Sequence, residues 1–264
     1  MDGYRKEVGG VNEWERAMGR GLSAFGETVG TQALPQVDST NLRLKEWARE
    51  GRIRPPYLLA ADSQTAGRGR LGRCFVSPPG TGVYFSLLAA PPQSADCGKI
   101  TVLASVAVCR AIEETTGLRP RIKWVNDLFL RGRKVCGILA EGLAQGVVVG
   151  IGINIKTPEG GFPESAGVAG ALDVETDRFY LAGLAARHIL SGLENLADPA
   201  IIDYYRARMP LIGKTVGYTE NGAQKTALVT GVADDGGLCV LGPDGRHVLR
   251  TGEVTLGSEA FLGL

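Results

Sequence analysis

The stretch from residue 67 to residue 73 limits what this chain can fold into more than any other. It contains three glycines and three arginines within seven residues. Glycine permits positive φ and lets backbone come close to a ligand, while the arginine guanidinium pairs with carboxylates and phosphates. The pattern predicts a mobile cationic loop that closes over a small anion.

The spacing of Gly67, Gly69 and Gly72 also fits the G-x-G-x-x-G motif of dinucleotide-binding folds. That motif follows a strand, opens a helix and meets an acidic residue about 20 positions later. Here residues 58–61 could form the strand, but a proline-containing segment and a second strand-like run at 83–88 follow the loop. After the loop, no acidic residue occurs until Asp96. The sequence therefore disfavours a dinucleotide fold and favours a loop between two strands.

Composition excludes several other classes of protein. The 264 residues are 44% hydrophobic and 22% charged, which suits one large globular domain or a large domain with a small one. A net charge of +1 gives no overall basic field for DNA, and no apolar run reaches membrane-spanning length. There is no signal peptide pattern, and the five cysteines form no C-x-x-C pair. We expect free thiols, a cytoplasmic location, and neither a DNA nor a membrane partner.

The pattern of apolar runs predicts three parts: an extension over 1–30, a large domain over 31–209, and a small domain over 210–264. The sequence of the first part predicts one short helix over 13–25. The extension as a whole could be disordered or could form a docking helix. The second alternates strands with helices, as α/β or α+β domains with a mixed sheet do. After residue 211 short strand-like runs alternate with turns, which is typical of a small β-barrel. The predicted helices cover 42–50, 99–116 and 176–196, and the predicted strands cover 57–61, 83–89, 121–125, 135–141 and 147–155.

Further polar clusters accompany the glycine–arginine loop. Taken singly, each has an ordinary structural explanation: a helix cap, a turn, a solvated lysine or a β-bulge. Their order along the chain is more informative than any one of them. They are Asp38-Ser39-Thr40-Asn41, then Gln64 before the loop, then Lys123-Trp124-Val125-Asn126-Asp127, then Lys134-Val135-Cys136-Gly137-Ile138-Leu139-Ala140-Glu141, and finally Gly150-Ile151-Gly152-Ile153-Asn154.

In this order the motifs resemble those of biotin–protein ligases. The resemblance covers about residues 36–156, and residues 252–256 resemble part of that family's small C-terminal domain. It implies an α/β (α+β) catalytic domain with a mixed sheet, like that of class II aminoacyl-tRNA synthetases, followed by an SH3-like β-barrel. It also implies that ATP and Mg²⁺ activate biotin to biotinyl-5′-AMP, and that biotin is then transferred to a lysine of a biotin carboxyl carrier protein.

The resemblance assigns roles to residues, and the chemistry of each residue type suits its role. A carboxylate attacking the α-phosphate brings two anions together, so cations must screen both. The ureido group of biotin needs donors and acceptors, and Mg²⁺ prefers carboxylate oxygens. The implied catalytic residues are Arg68, Arg70, Lys123, Lys134 and Asp127. The implied biotin-binding residues are Ser39, Thr40, Asn41, Gln64, Arg68, Gly69, Arg70, Lys134 and Gly137. The implied ATP-binding residues are Arg70, Lys123, Asn126, Lys134 and Asn154, with Asp127 toward Mg²⁺.

The sequence departs from the family pattern at two positions: Val125 replaces a usual proline, and Phe75 replaces a frequent tryptophan. Residues 1–30 are too short for a helix-turn-helix domain, so we expect no operator binding. Whether the protein forms a homodimer is left open, with the glycine-rich run 147–153 as a candidate edge strand.

Two alternative functions remain: a non-catalytic sensor of biotin or biotinyl-AMP, and a ligase for lipoate or another acyl acid. We expect residues 67–73 to be poorly ordered without ligand and ordered over biotin or its adenylate.

Overall fold

Two β-sheets and five α-helices form the part of the chain that the computed structural model describes, residues 8–90, 97–220 and 222–255. The first sheet contains seven strands, whose bounds are β1 (Gly30–Val37), β2 (Tyr57–Gln64), β3 (Gly82–Ala89), β4 (Arg121–Lys123), β5 (Asp127–Leu130), β6 (Arg133–Leu143) and β7 (Gly146–Asn154). The helices are α1 (Val8–Leu22), α2 (Thr40–Arg49), α3 (Cys97–Thr116), α4 (Arg178–Glu194) and α5 (Pro199–Ala207). None of these described helices combines the length and apolar character needed to cross a membrane.

The seven-stranded sheet is mixed, as predicted. Its order is β1-β2-β3-β7-β6-β5-β4. The β1 and β2 strands are parallel, because α2 lies between them in the chain and crosses over the sheet, and every other neighbouring pair is antiparallel. The β3 strand is buried along its whole length, which explains why its sequence is a nearly continuous apolar run rather than an alternating one.

The glycine-rich strand β7 lies inside this sheet. Its residues pair with β3 on one side and with β6 on the other. The prediction that residues 147–153 could pair across a dimer is therefore wrong, because the backbone hydrogen bonds on both sides of the strand are already made within the chain.

The helices cover both faces of the sheet. The α3 helix is apolar on nearly every side from Ile100 to Ile112 and lies in the main core with α4. The α2 helix packs on the opposite face, where Leu44 and Ala48 form a smaller buried cluster with Leu59, Leu88 and Val148. This placement brings the N-terminus of α2 to the end of β2, next to the glycine–arginine loop.

The α1 helix is docked on α4 and β1, in the core of the larger sheet. Its bounds differ from the predicted 13–25, since the helix proper ends at Leu22 and a single 3-10 turn follows. Met18 and Leu22 are fully buried, and the ring of Trp14 stacks on Phe179 of α4 with centroids 4.6 Å apart. Of the two alternatives for this segment, the described residues form a docking helix.

The second sheet is antiparallel and contains five strands. They are β8 (Thr215–Glu220), β9 (Ala223–Val232), β10 (Leu238–Gly242), β11 (Gly245–Leu249) and β12 (Val254–Thr255), in the order β11-β10-β9-β8-β12. Val216, Val229 and Val240 of this sheet belong to the same hydrophobic core as α3, α4 and α5. The predicted β structure after residue 211 is confirmed, while its closure into an SH3-like barrel and the domain limits at 30 and 209 stay predictions.

Candidate active site

One cavity of about 620 Å³ lies between the N-terminus of α2, the loop 67–73 and the strands β4 to β7. Every residue that the sequence assigned to the site lines it, although these residues come from six separate segments. They are Ser39, Thr40, Asn41, Gln64, Arg68, Gly69, Arg70, Lys123, Asn126, Asp127, Lys134, Gly137 and Asn154.

The start of α2 forms a buried polar end of this cavity. Ser39 is the N-cap residue, and its hydroxyl accepts a hydrogen bond from the Leu42 amide, as expected for serine at this position. The Thr40 amide donates to Gln64 Oε1 at 2.9 Å, and Gln64 Nε2 donates to Ser77 Oγ at 3.0 Å. These contacts fix the Gln64 amide at the cavity wall.

A second layer of polar groups lies behind these residues. Asn41 Nδ2 donates to Glu141 Oε2 at 2.9 Å, and Lys45 Nζ lies 2.6 Å from the other oxygen of that carboxylate. Ser86 Oγ lies 2.5 Å from Asn41 Oδ1. Sequence reasoning missed Ser86 and Lys45. The signal for Ser86 was a lone hydroxyl within the apolar run of β3, a position where a polar group needs a partner.

The glycines of β7 make room for the site. A Cβ at position 150 would lie 2.6 Å from Cγ of Asn41, and one at position 152 would lie 2.7 Å from Cζ of Phe75. The pairing of β7 with both neighbours continues in register through these positions. Gly150 and Gly152 therefore do not mark a bulge: they let two side chains lie directly on the sheet.

The glycine–arginine loop is tied to the C-terminal sheet. Arg70 donates to Asn126 Oδ1 at 3.0 Å and to the Gly252 carbonyl at 2.9 Å. Arg73 forms a two-pronged pair with the Glu253 carboxylate at 2.7 and 2.5 Å. The hydrogen bond from Arg73 is the main reason that the pKa of Glu253 lies below its usual value, although burial opposes it. Glu253 lines the cavity, and sequence reasoning assigned it no role.

The cations of β4 and β6 converge on a single carboxylate. Lys134 Nζ lies 2.8 Å from Asp127 Oδ1. Lys123 lies 5.8 Å above the ring of Phe129, and burial lowers its pKa even though Asp127 and Glu253 act in the other direction. Asp127 was predicted to lie in a turn with Asn126. Only Asn126 does so, and Asp127 begins β5.

Hydrogen bonds from Trp124 and to Val125 fix the segment 123–127 to other parts of the chain. The Trp124 indole donates to the Gly236 carbonyl at 2.9 Å, and the Tyr205 hydroxyl donates to the Val125 carbonyl at 3.0 Å. Trp124 is buried in the core and also lines the cavity. Trp124 is therefore both a core residue and an apolar part of the cavity wall.

Comparison with known proteins identifies the kind of protein that has this architecture. The biotin/lipoate A/B protein ligase family model matches residues 33–157. A biotin–[acetyl-CoA-carboxylase] ligase of Paracoccus denitrificans is 32% identical, over 85% of this chain and 99% of that protein. The biotin protein ligase of Aquifex aeolicus, solved with biotin and ATP, superposes with a TM-score of 0.75 at 30% identity, covering 86% of this chain and 97% of that one.

Other relatives are longer than the matched region. A bifunctional ligase/repressor BirA of Bacillus spizizenii is 35% identical over 61% of this chain, and the match spans about half, 51%, of that relative's length.

The seven-stranded sheet with its helices has the class II aminoacyl-tRNA synthetase-like fold. Together with the matches over nearly the full length of two relatives, this settles the family. The chain belongs to the biotin/lipoate A/B protein ligase family.

Proposed function

We propose that this protein is an ATP-dependent biotin–protein ligase. It joins the biotin carboxylate to the α-phosphate of ATP, releasing pyrophosphate, and then transfers biotin from biotinyl-5′-AMP to a carrier lysine. The observation that carries the proposal is that one cavity holds both a buried hydroxyl–amide end and a group of cations. The names and bound ligands of the relatives described above support the same substrates.

The cationic residues suit the first half-reaction. Negative charge builds up on the phosphate oxygens as the carboxylate attacks, and fixed cations stabilise this charge in the transition state. We assign Arg68 and Arg70 to the biotin carboxylate and the α-phosphate, Lys134 to a bridge between them, and Lys123 to phosphate charge. Gly69 lets the loop backbone come close to the ligand.

The amide side chains and the acidic residue suit the nucleotide. Asn126 accepts from Arg70 and donates to the Ile138 carbonyl, so it links the loop to β6. Asn154 donates to the Gly170 carbonyl. Both asparagines line the cavity, and we assign both to ATP binding. Asp127 Oδ1 is buried at the cavity wall and is paired with the Lys134 ammonium at 2.8 Å. A carboxylate in this position suits a group that would hold Mg²⁺ together with phosphate oxygens.

The hydroxyl–amide end suits the ureido group of biotin. Ser39, Thr40, Asn41 and Gln64 offer both donors and acceptors. The first three are buried and Gln64 is half-buried, a setting in which each hydrogen bond discriminates against ligands that lack a partner group. Gly137 leaves space for Phe75 and Lys134, because a Cβ there would lie 3.0 Å from Cε2 of the Phe75 ring and 3.3 Å from Cε of Lys134.

For the second half-reaction we propose a biotin carboxyl carrier protein domain of a carboxylase as the acceptor. The helix and turn formed by residues 8–25 pack on the core, which supports the proposal that this segment does not bind an operator. The five cysteines are unpaired in the described residues, which supports a cytoplasmic location. Homodimer formation stays a prediction, and sedimentation with and without biotin measures it.

An assay of both half-reactions tests the function. Purified protein with Mg²⁺, ATP and biotin is expected to release pyrophosphate only when biotin is present, and to label one lysine of an added carrier domain. Lys134→Ala and Arg68→Ala are expected to lower pyrophosphate release by at least about 100-fold, while the exposed Arg52→Ala serves as a control. Biotin binding without pyrophosphate release would instead establish a sensor, and release with lipoate in place of biotin would change the substrate.

A further inference from the structure

We propose that Glu141 sets the direction of the hydrogen bonds in the biotin pocket, so that Thr40 presents an acceptor to an N–H group of the ureido ring. This inference rests on the proposed function, because it concerns how that same pocket recognises its ligand. Glu141 and Ser86 do not line the cavity, whereas Thr40 and Asn41 do. Glu141 is therefore a positioning residue rather than a catalytic one.

The first step is the orientation of the Asn41 amide. Its Nδ2 group faces Glu141 Oε2 at 2.9 Å and the Leu139 carbonyl at 3.4 Å, and both of these groups only accept hydrogen bonds. A flipped amide would place Oδ1 against the carboxylate. Lys45 holds the other Glu141 oxygen at 2.6 Å, so the carboxylate cannot turn away without losing an ion pair.

The carboxylate is charged under physiological conditions. Burial alone would raise the pKa of Glu141, but the hydrogen bonds from Lys45 and Asn41 outweigh burial, and the pKa lies below its usual value. An ionised carboxylate accepts and never donates. Asn41 Oδ1 therefore points away from Glu141 and toward Ser86, 2.5 Å from its hydroxyl.

The second step follows from counting protons. Ser86 Oγ is fully buried and lies 2.5 Å from Asn41 Oδ1 and 2.7 Å from Thr40 Oγ1. A hydroxyl has one proton, and the amide oxygen has none to offer, so Ser86 must donate to Asn41. Ser86 is also oriented to donate to Thr40 Oγ1, but its single proton is used by the shorter contact with Asn41. The proton in the 2.7 Å contact between the two hydroxyls therefore comes from Thr40.

The third step concerns what Thr40 has left for a ligand. Its proton is committed to Ser86, and the more distant Gln64 Oε1, at 3.2 Å, already receives the Thr40 amide N–H at 2.9 Å. The lone pairs of Thr40 Oγ1 therefore remain as acceptors at the cavity wall. An N–H donor such as that of a cyclic urea fits this arrangement, whereas a carbonyl or ether oxygen at the same place would face another acceptor.

The test replaces Glu141 by glutamine, which keeps the size but can donate to Asn41 Oδ1 and so allows the amide to flip. We expect the biotin Kd, measured by calorimetry, to weaken by about tenfold or more, with the ATP KM unchanged in pyrophosphate release. Glu50→Gln, the same substitution in an exposed ion pair at the end of α2, is the matched control and should leave both values as in the wild type.

A second variant separates this role from a structural one. Ser86→Ala cuts the chain of hydrogen bonds between Asn41 and Thr40, so Glu141→Gln should weaken biotin binding little further in the Ser86→Ala background. Fully additive losses, or a Glu141→Gln protein that binds biotin like the wild type, would overturn the proposal. If Glu141→Gln does not fold, Ser86→Ala alone must still weaken biotin binding with the ATP KM unchanged. A wild-type protein with no biotin-dependent pyrophosphate release would instead refute the proposed function.

Discussion

At the scale of single residues, two glycines, Gly152 of β7 and Gly137 of β6, decide what can lie on the cavity floor. Phe75 follows the glycine–arginine loop, and its ring lies against Gly152 and Gly137. No side chain larger than hydrogen fits beneath the ring, since interiors are packed too tightly to absorb an extra methyl group without movement. The glycines therefore fix the position of the only aromatic ring that the segment 67–77 contains.

Gly152→Ala is expected to displace Phe75, to lower the free energy of unfolding by about 1–3 kcal/mol, and to reduce biotin-dependent pyrophosphate release. Gly142→Ala in neighbouring β6 is the control, because a Cβ there meets nothing within 4 Å. Chemical denaturation of both variants makes the comparison. Equal stability of the two variants would contradict this account of Phe75, and a smaller cost in a Phe75→Leu background would support it.

Lys123 gives a prediction about pH. Burial lowers its pKa, so its positive charge is lost, as pH rises, earlier than for an ordinary lysine. If that charge assists phosphate chemistry, pyrophosphate release falls in the same alkaline range. Lys123→Arg keeps the charge at all accessible pH values and is expected to move the alkaline limb of the pH–rate profile to higher pH. An unshifted limb would remove Lys123 from the first half-reaction.

At the scale of elements, the loop 67–73 is connected to the segment that opens β12. Arg73 is largely exposed, so its pair with Glu253 contributes modestly despite good geometry. The low pKa of Glu253 means that the contact persists as pH falls through the ordinary carboxyl range, and is lost only when the carboxylate is protonated at lower pH. The contact thus limits how freely the loop opens without preventing it.

Glu253→Gln is expected to speed amide hydrogen exchange in the loop, without added ligand, by up to about fivefold at neutral pH. Glu220→Gln breaks another ion pair of the same C-terminal sheet and should leave exchange in the loop unchanged. Mass-spectrometric exchange over residues 67–74 measures the effect. Unaltered exchange in Glu253→Gln would show that Arg70 alone holds the loop.

The elements also show what the sequence can and cannot predict. The runs at 83–89 and 147–155 were predictable as strands because burial on both faces leaves a long apolar signal. The β5 strand was missed because its four residues, between two turns, are too few to show a period. The ordered motifs predicted which residues line the cavity. The contact of Arg73 with Glu253 spans 180 positions, and no local pattern encodes such a pairing.

At the scale of the whole molecule, α1 and α4 are held at close range by small residues. A Cβ at Gly21 would lie 2.6 Å from the Leu184 backbone nitrogen of α4. Backbone atoms cannot rotate out of the way as a flexible side chain can, so the two helices would have to separate. The docking helix is therefore part of the core that supports the seven-stranded sheet.

Gly21→Ala is expected to lower the free energy of unfolding by about 1–3 kcal/mol. Gly19→Ala, two positions earlier on the same helix, meets nothing within 4 Å and is expected to raise it by about 0.5–1 kcal/mol through helix propensity. Thermal and denaturant unfolding report both changes. If both substitutions destabilise the protein equally, the close approach of Gly21 to α4 is not the cause. The result would instead show that this end of α1 tolerates no substitution.

The contacts of Arg70 and Arg73 with Gly252 and Glu253 have a consequence for synthesis on the ribosome. A chain emerges from its N-terminus at about 5–20 residues per second, and its parts begin to fold as they appear. The seven-stranded sheet has all its strands once β7 has emerged, yet the loop meets its partners only after nearly 100 further residues, since β7 ends at Asn154 and the partners begin at Gly252. During that interval a nascent chain has an assembled cavity floor and a loop that can reach Asn126 but not Gly252 or Glu253. It acquires the complete enclosure only near the end of translation.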